Sequence, residues 1–211
     1  GDVERRTSGY GEGSTLTELP SVAVIDEATG YPLVASVTVS PTMIHGGFGR
    51  FAAPAHAEHC ILPRAAAVDP KTGSLLVACL GIDSVVAYDA HSANPVDAEK
   101  RRWRVAAGPS GIAVDPATSR AVVWGQFDRT LSVIDLAGEQ LETTQDAEQR
   151  HVHNIELSPT KGRQLSVAAA LGRSLFHATG DARIARDGRS CASCHPDGRE
   201  DGLVWATPDG P

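Results

Sequence analysis

A nine-residue pattern recurs in this chain, identical at five of its nine positions. Leu62-Pro63-Arg64-Ala65-Ala66-Ala67-Val68-Asp69-Pro70 aligns without a gap with Gly108-Pro109-Ser110-Gly111-Ile112-Ala113-Val114-Asp115-Pro116, an offset of 46 residues. The register continues: Leu75-Leu76-Val77 matches Ala121-Val122-Val123, and Val85-Val86-Ala87-Tyr88-Asp89 matches Leu131-Ser132-Val133-Ile134-Asp135. Each copy reads as a short apolar strand, an Asp-Pro turn, a second strand, a polar turn and a third strand ending in Asp. Proline fixes φ and aspartate bonds nearby backbone, so these turns have a mechanism. Short strands so divided, at a period in the forties, are what a β-propeller blade requires.

Outside the two copies the pattern weakens. Ser21-Val22-Ala23-Val24-Ile25-Asp26 echoes the third strand, so part of an earlier blade is expected near the N-terminus. Residues 41–59, rich in Gly, Pro, Ala and His, read as a long loop. Val152-His153-Asn154-Ile155-Glu156-Leu157-Ser158-Pro159 falls 43 rather than 46 residues after its counterpart and reads as the last strand before the chain changes character.

On Gly108 to Asp135, with its G-P-x-G-I-A-V-D-P opening and V-I-D close, the repeats resemble the YVTN-type β-propeller family. The family's Tyr-Val-x-Asn strand stands here as Val122-Val123-Trp124-Gly125. The resemblance implies radial four-stranded blades. The expected organisation is an N-terminal extension over residues 1–14, a partial propeller of about three to four blades over 15–163, and a further segment over 164–211. Propellers usually close with about four to eight blades, so sequence outside this chain is expected to complete the ring.

Composition excludes some partners. A net charge of −7 lacks the basic face that a sequence-independent grip on nucleic acid needs. No apolar run approaches the roughly 18 residues of a membrane span. The start, Gly1-Asp2-Val3-Glu4-Arg5-Arg6, does not resemble a signal peptide and reads as an internal or processed end.

From Ser166 the chain changes to Ala, Leu and Arg. Val167, Leu171 and Leu175 fall on one helical stripe, widened by Phe176, with Gly180 as a stop; the alternative is that Gln164 to Ala168 is one more propeller strand and the helix begins later. Then comes Cys191-Ala192-Ser193-Cys194-His195, spelling C-x-x-C-H, the attachment signature of a c-type haem. Two thiols three positions apart can each add to one haem vinyl group, and the next residue offers an imidazole to the iron. With 4 Cys and 8 His in 211 residues, chance gives the pattern roughly 0.003 times per chain. A structural zinc site needs four ligands, of which one C-x-x-C supplies two.

Gly172-Arg173-Ser174-Leu175-Phe176, Ile184-Ala185-Arg186-Asp187-Gly188 and Cys191-Ala192-Ser193-Cys194-His195 together resemble the first haem segment of the di-haem cytochrome c peroxidase and MauG-like family. Some extracytoplasmic bacterial proteins carry this module behind a YVTN propeller. The resemblance implies a covalent haem c on Cys191 and Cys194, with His195 as proximal iron ligand. It also implies electron transfer between two haems, with peroxide reduction or oxidation of a protein partner at one of them. The chain departs from the family in having one C-x-x-C-H and only 16 residues after His195. This chain alone is therefore expected to turn over little or no peroxide, and its distal ligand has no family-matched position.

The expected function is that of an extracytoplasmic (periplasmic or cell-surface) bacterial redox protein, with the propeller docking a redox partner or the remainder of its own chain. The competing expectation is a surface scaffold with an inactive C-terminal segment.

Other residues have simpler readings. Met43 is the only thioether available as a distal ligand, and His177 ends the expected helix. His56, His59 and Cys60, joined by Cys79, make a possible metal set, against a Cys60–Cys79 disulfide favoured by an oxidising compartment. His151 and His153 share a strand face, Trp205 is an aromatic near the haem motif, and Glu200-Asp201 reads as solvated. The run His45-Gly46-Gly47-Phe48-Gly49-Arg50 precedes no helix and makes a weak phosphate cradle. No Ser/His/Asp grouping has hydrolytic spacing.

Overall fold

The computed structural model describes residues 7–8, 21–37, 60–92, 99–137, 151–158, 165–179, 181, 183–184, 190–200, 202 and 205–206. Met43, the 41–59 loop, His56 and His59 lie outside the described residues. Strands dominate: β1 (Thr7–Ser8), β2 (Ser21–Ile25), β3 (Pro32–Val37), β4 (Pro63–Asp69), β5 (Ser74–Cys79), β6 (Ser84–Asp89), β7 (Glu99–Arg104), β8 (Pro109–Asp115), β9 (Arg120–Gly125), β10 (Thr130–Asp135), β11 (Val152–Glu156) and β12 (Trp205–Ala206). Two α-helices, α1 (Val167–His177) and α2 (Cys191–Cys194), lie between β11 and β12.

Two four-stranded antiparallel sheets carry the fold, in the orders β4-β5-β6-β7 and β8-β9-β10-β11. The first three strands of each sheet repeat at the offset of 46 residues seen in the sequence: Pro63 and Pro109, Ser74 and Arg120, and Ser84 and Thr130 open them. Both sheets also shift register at the same place, between Pro63 and Ala65 and between Pro109 and Gly111. Each proline opens an edge strand at a bulge, where its missing N–H breaks no ladder bond. The fourth strands escape the repeat. β11 pairs with β10 and closes the second sheet, while β7 was not anticipated from the sequence. Its composition, Glu-Lys-Arg-Arg-Trp-Arg, hides it: this edge strand points most side chains outward and buries Trp103.

Aspartates that end β4, β6, β8 and β10, and one just after β2, make the turns. Asp69 Oδ1 accepts from Lys71 N at 3.0 Å and Oδ2 from Thr72 Oγ1 at 2.6 Å. Asp115 repeats this with Ala117 N at 3.0 Å and Thr118 Oγ1 at 2.7 Å. Asp26, in the β2–β3 hairpin, accepts from Thr29 N and Thr29 Oγ1 at 2.8 and 3.0 Å. Asp89 and Asp135 accept from His91 N and Ala137 N, each at 3.0 Å. Bonds from the Thr118 and Thr29 segments hold Asp115 and Asp26 below the usual carboxylate value, and the His91 amide does the same for Asp89.

Alternation along the strands divides the core in two. Leu76, Val85 and Trp103 of the first sheet pack against Ala121, Val123 and Ile134 of the second. Their neighbours Val77, Cys79, Val86 and Tyr88 face the other way, into a second cluster with Cys60. Successive residues serve opposite faces because the side-chain period of a strand is two. Burial drives the Tyr88 hydroxyl's pKa upward. Between the sheets, buried Ser132 accepts from Ala106 N at 2.9 Å and donates to Asn154 Oδ1 at 2.7 Å.

Asp83 binds the sheets at one end. Its Oδ1 accepts from Gly108 N at 2.8 Å and its carbonyl from Val105 N at 2.9 Å. Gly108 has φ +69° and lies against Phe127, where a Cβ would come within 2.6 Å of the ring. A side chain there is excluded on both counts.

Cys60 and Cys79 form a disulfide with Cα atoms 5.1 Å apart. Their sulfurs are therefore unavailable to the alternative metal set. Among the described residues no helix is long and apolar enough to cross a membrane.

Candidate functional site

The C-x-x-C-H segment begins with a short helix whose burial pattern is its most informative property. Ser190, Ala192 and Ser193 are buried, whereas Cys191 is exposed and Cys194 half-buried. Ser190 N donates to Ser193 Oγ at 3.2 Å, and the two hydroxyls meet at 3.3 Å. This reciprocal bonding anchors the first turn, as a capping box does. Small residues between the cysteines let the turn settle inward, and spacing of three places both thiols on one flank of it. Neither thiol is in a disulfide.

His195 caps this turn, its N–H donating to Cys191 O at 2.9 Å. Its imidazole is 44% exposed, and Nδ1 lies 3.2 Å from Glu200 Oε1. A carboxylate on Nδ1 favours the tautomer that leaves Nε2 as a bare lone pair. Between them Pro196–Gly198 forms a 3-10 turn with Asp197 at φ +54°. Asp197 lies 3.9 Å from Arg64 of β4, a solvent-screened link between this segment and the first sheet.

The helix α1 packs on α2 and docks onto the sheet ends. Ser166 Oγ caps its N-terminus by accepting from Ala169 N at 3.2 Å. Arg173 donates to Phe127 O at 2.8 Å and places its guanidinium 5.0 Å from the Phe127 ring centroid. His177 stacks 5.0 Å from the same ring, with Nδ1 2.9 Å from its own helix's Arg173 O. Thr179 Oγ1 donates to Gly81 O at 2.6 Å. A Cβ on Gly81 would come within 2.7 Å of that hydroxyl, so the close approach requires glycine. The stripe anticipated from the sequence is helical but unburied: Val167 is 88% and Leu171 58% exposed. The helix docks through its polar flank instead.

Beneath α1 lies a crevice of about 320 Å³ lined by Asp83, Arg104, Phe127, Leu175 and His177. Burial raises the Asp83 carboxyl's pKa, partly offset by the Gly108 amide. Nearer the C-x-x-C-H turn, Arg183 binds Asp181 at 2.6 Å and holds its carboxyl down to about 2.

Of the anticipated residues, Cys191, Cys194 and His195 form one contiguous turn. His177 instead belongs to the helix–sheet contact. His151 precedes β11 and His153 is exposed on it. Among the described residues no cluster of three or more His, Cys, Asp or Glu side chains could hold a metal ion. Trp205 pairs through its backbone with Thr7. Glu200 was read as solvated; it is exposed, yet it reaches His195. No periodic pattern announces a partner five residues away across a turn.

The donor set fits a covalently held haem: two unbridged thiols on one flank of a turn, and an imidazole whose other nitrogen is already engaged. No family model matches the chain, and no curated protein matches it. Among solved structures it is similar to hydrazine synthase of Kuenenia stuttgartiensis, at 22% identity and TM-score 0.43, over 66% of this chain and 30% of that one. It is also similar to Hsv2 of Kluyveromyces lactis, at 17% identity and TM-score 0.34, over 50% of this chain and 34% of that one. The chain thus spans 34% or less of either of these proteins.

Proposed function

We propose that this chain belongs to an extracytoplasmic bacterial c-type haem redox protein, in which the two sheets are successive blades of a partial propeller that docks a redox partner or further parts of the same protein. The observation that carries the redox reading is the sorting of the four cysteines. Cys60 and Cys79 are buried in a disulfide, while Cys191 and Cys194 are kept apart from it on the flank of the C-x-x-C-H turn.

Each residue of the segment then has a task. Cys191 and Cys194 offer the thiols for thioether attachment. Ala192 and Ser193 seat the turn, and Ser190 fixes its start. His195 offers Nε2 as the proximal ligand while Glu200 holds Nδ1. The exposed Val167 and Leu171 on neighbouring α1 supply apolar surface of the kind a porphyrin needs beside it. When bound, a haem supplies one-electron chemistry whose potential follows axial ligation and burial.

The blade reading is supported by the shared 46-residue offset, the identical strand order and the core shared between the sheets. The extracytoplasmic reading is supported by the disulfide, since such bonds persist in oxidising compartments.

The test is expression with an export signal in a host equipped for cytochrome c maturation. The expected outcome is a Soret band, covalent haem stain on a denaturing gel and a mass increment of one porphyrin. Cys191→Ala with Cys194→Ala abolishes all three while the sheets stay folded. A colourless, correctly folded protein from that host overturns the redox reading in favour of a propeller scaffold. Peroxide turnover by this chain alone is expected to be negligible.

A further inference from the structure

At the end of the two sheets opposite α1, a cleft of about 480 Å³ opens between them. Its floor is apolar, built from Leu76, Trp103 and Leu136 of the shared core. Its rim carries three cations, Lys71, Lys100 and Arg101, in a chain whose net charge is −7.

Neutral oxygens take part in holding each of these cations. Lys71 Nζ crosses between the sheets to Ser119 Oγ at 2.9 Å, and among the described residues no ion pair engages it. Arg101 donates to Leu136 O at 3.3 Å and lies 4.9 Å over the Trp103 ring. Lys100 Nζ is 3.3 Å from Thr72 O and from Gly73 O, with Asp89 Oδ1 at 3.8 Å. The carboxylate within the lining, Asp69, has both oxygens engaged by its own turn. Among the described residues the Lys71 charge thus meets a hydroxyl rather than a carboxylate, and it stands beside a low-dielectric floor that strengthens its pull.

We propose that this cleft binds a small organic anion: a carboxylate carried on an apolar or aromatic body. Charge-assisted bonds from Lys71 and Arg101 engage the carboxylate, and the apolar part gives the ligand its fit. A volume in the range of small-molecule sites, with an apolar floor beneath a polar rim, favours such a ligand over an inorganic ion. The inference is independent of the haem reading.

The test is a titration of the ¹⁵N-labelled full chain with benzoate at constant ionic strength, beside benzamide and inorganic phosphate. Benzoate is expected to give saturable amide shifts centred on Lys71, Ser119 and Ala137, with benzamide and phosphate each at least about tenfold weaker. Lys71→Ala weakens benzoate by about tenfold, and Lys71→Arg keeps it within about twofold, each with unchanged spectral dispersion. Arg101→Ala is the second loss-of-binding variant. Absence of saturable shifts overturns the proposal, as does benzamide binding equal to benzoate, or Lys71→Ala with undiminished affinity. Phosphate binding equal to benzoate overturns it too, reducing the cleft to nonspecific anion attraction.

Discussion

Removing the Cys60–Cys79 bond by the double substitution Cys60→Ala/Cys79→Ala tests how much of the first sheet's stability is covalent. The bond spans 19 residues of sequence, enclosing β4 and β5. Freeing a loop of that length restores denatured-state entropy equivalent to about 3 kcal/mol at 25 °C. For a chain of this size the melting temperature then falls by roughly 6–12 °C. Near-UV circular dichroism is the assay, because Trp103 and Tyr88 are each 2% exposed and report tertiary packing. The matched control is Cys191→Ala/Cys194→Ala, which removes no disulfide and is expected to cost less than about 1 kcal/mol. A loss below about 1 kcal/mol for the first pair would refute the reasoning, as would equal losses for the two pairs.

Ser132→Ala strands the buried Ala106 N–H, while the exposed Asn154 amide turns to water, and a cost of about 1–3 kcal/mol is expected in chemical denaturation. Ile134→Ala leaves a hole in the core shared by both sheets and costs about 2–5 kcal/mol by the same measurement. Arg173→Ala deletes the bond to Phe127 O and the stacked guanidinium; hydrogen exchange should show the α1 amides losing protection while β5 and β6 keep theirs. Asp26, Asp89 and Asp115 have folded-state pKa values below their unfolded ones. Their stabilisation is present above the usual carboxylate range and lost as pH falls through the folded values. Denaturant midpoints measured from pH 7 to pH 3 should fall with acid, and Asp115→Asn should flatten that slope.

The parts of the molecule legible in the sequence are those where chemistry and spacing coincide. Asp69-Pro70 and Asp115-Pro116 mark turns because aspartate side chains complete them, and the apolar strands between them carry a repeat of constant length. The Cys191 to His195 turn stands out because its spacing is that of the haem-attachment signature, which is the ground of the proposed function. β7 was hidden by its charges, since an edge strand can keep one buried anchor, Trp103, and expose most of the rest. The α1 stripe correctly indicated a helix but not which flank would dock. That choice rests on single polar contacts from Arg173 and Thr179, which have no period. Glu200 was passed over for the same reason: Pro196-Asp197-Gly198 marks a turn, but nothing in it specifies which side chain beyond it meets His195.

The burial of Cys60 and Cys79 has a consequence for biosynthesis. Once the strands have assembled, a sulfur-seeking catalyst approaching from solvent meets Cys191 and the half-covered Cys194, because Cys60 and Cys79 are 1% and 0% exposed. Folding itself therefore supplies the selectivity that an enzyme handling four equivalent thiols would otherwise have to provide, and mispairing is confined to the interval before the sheets close.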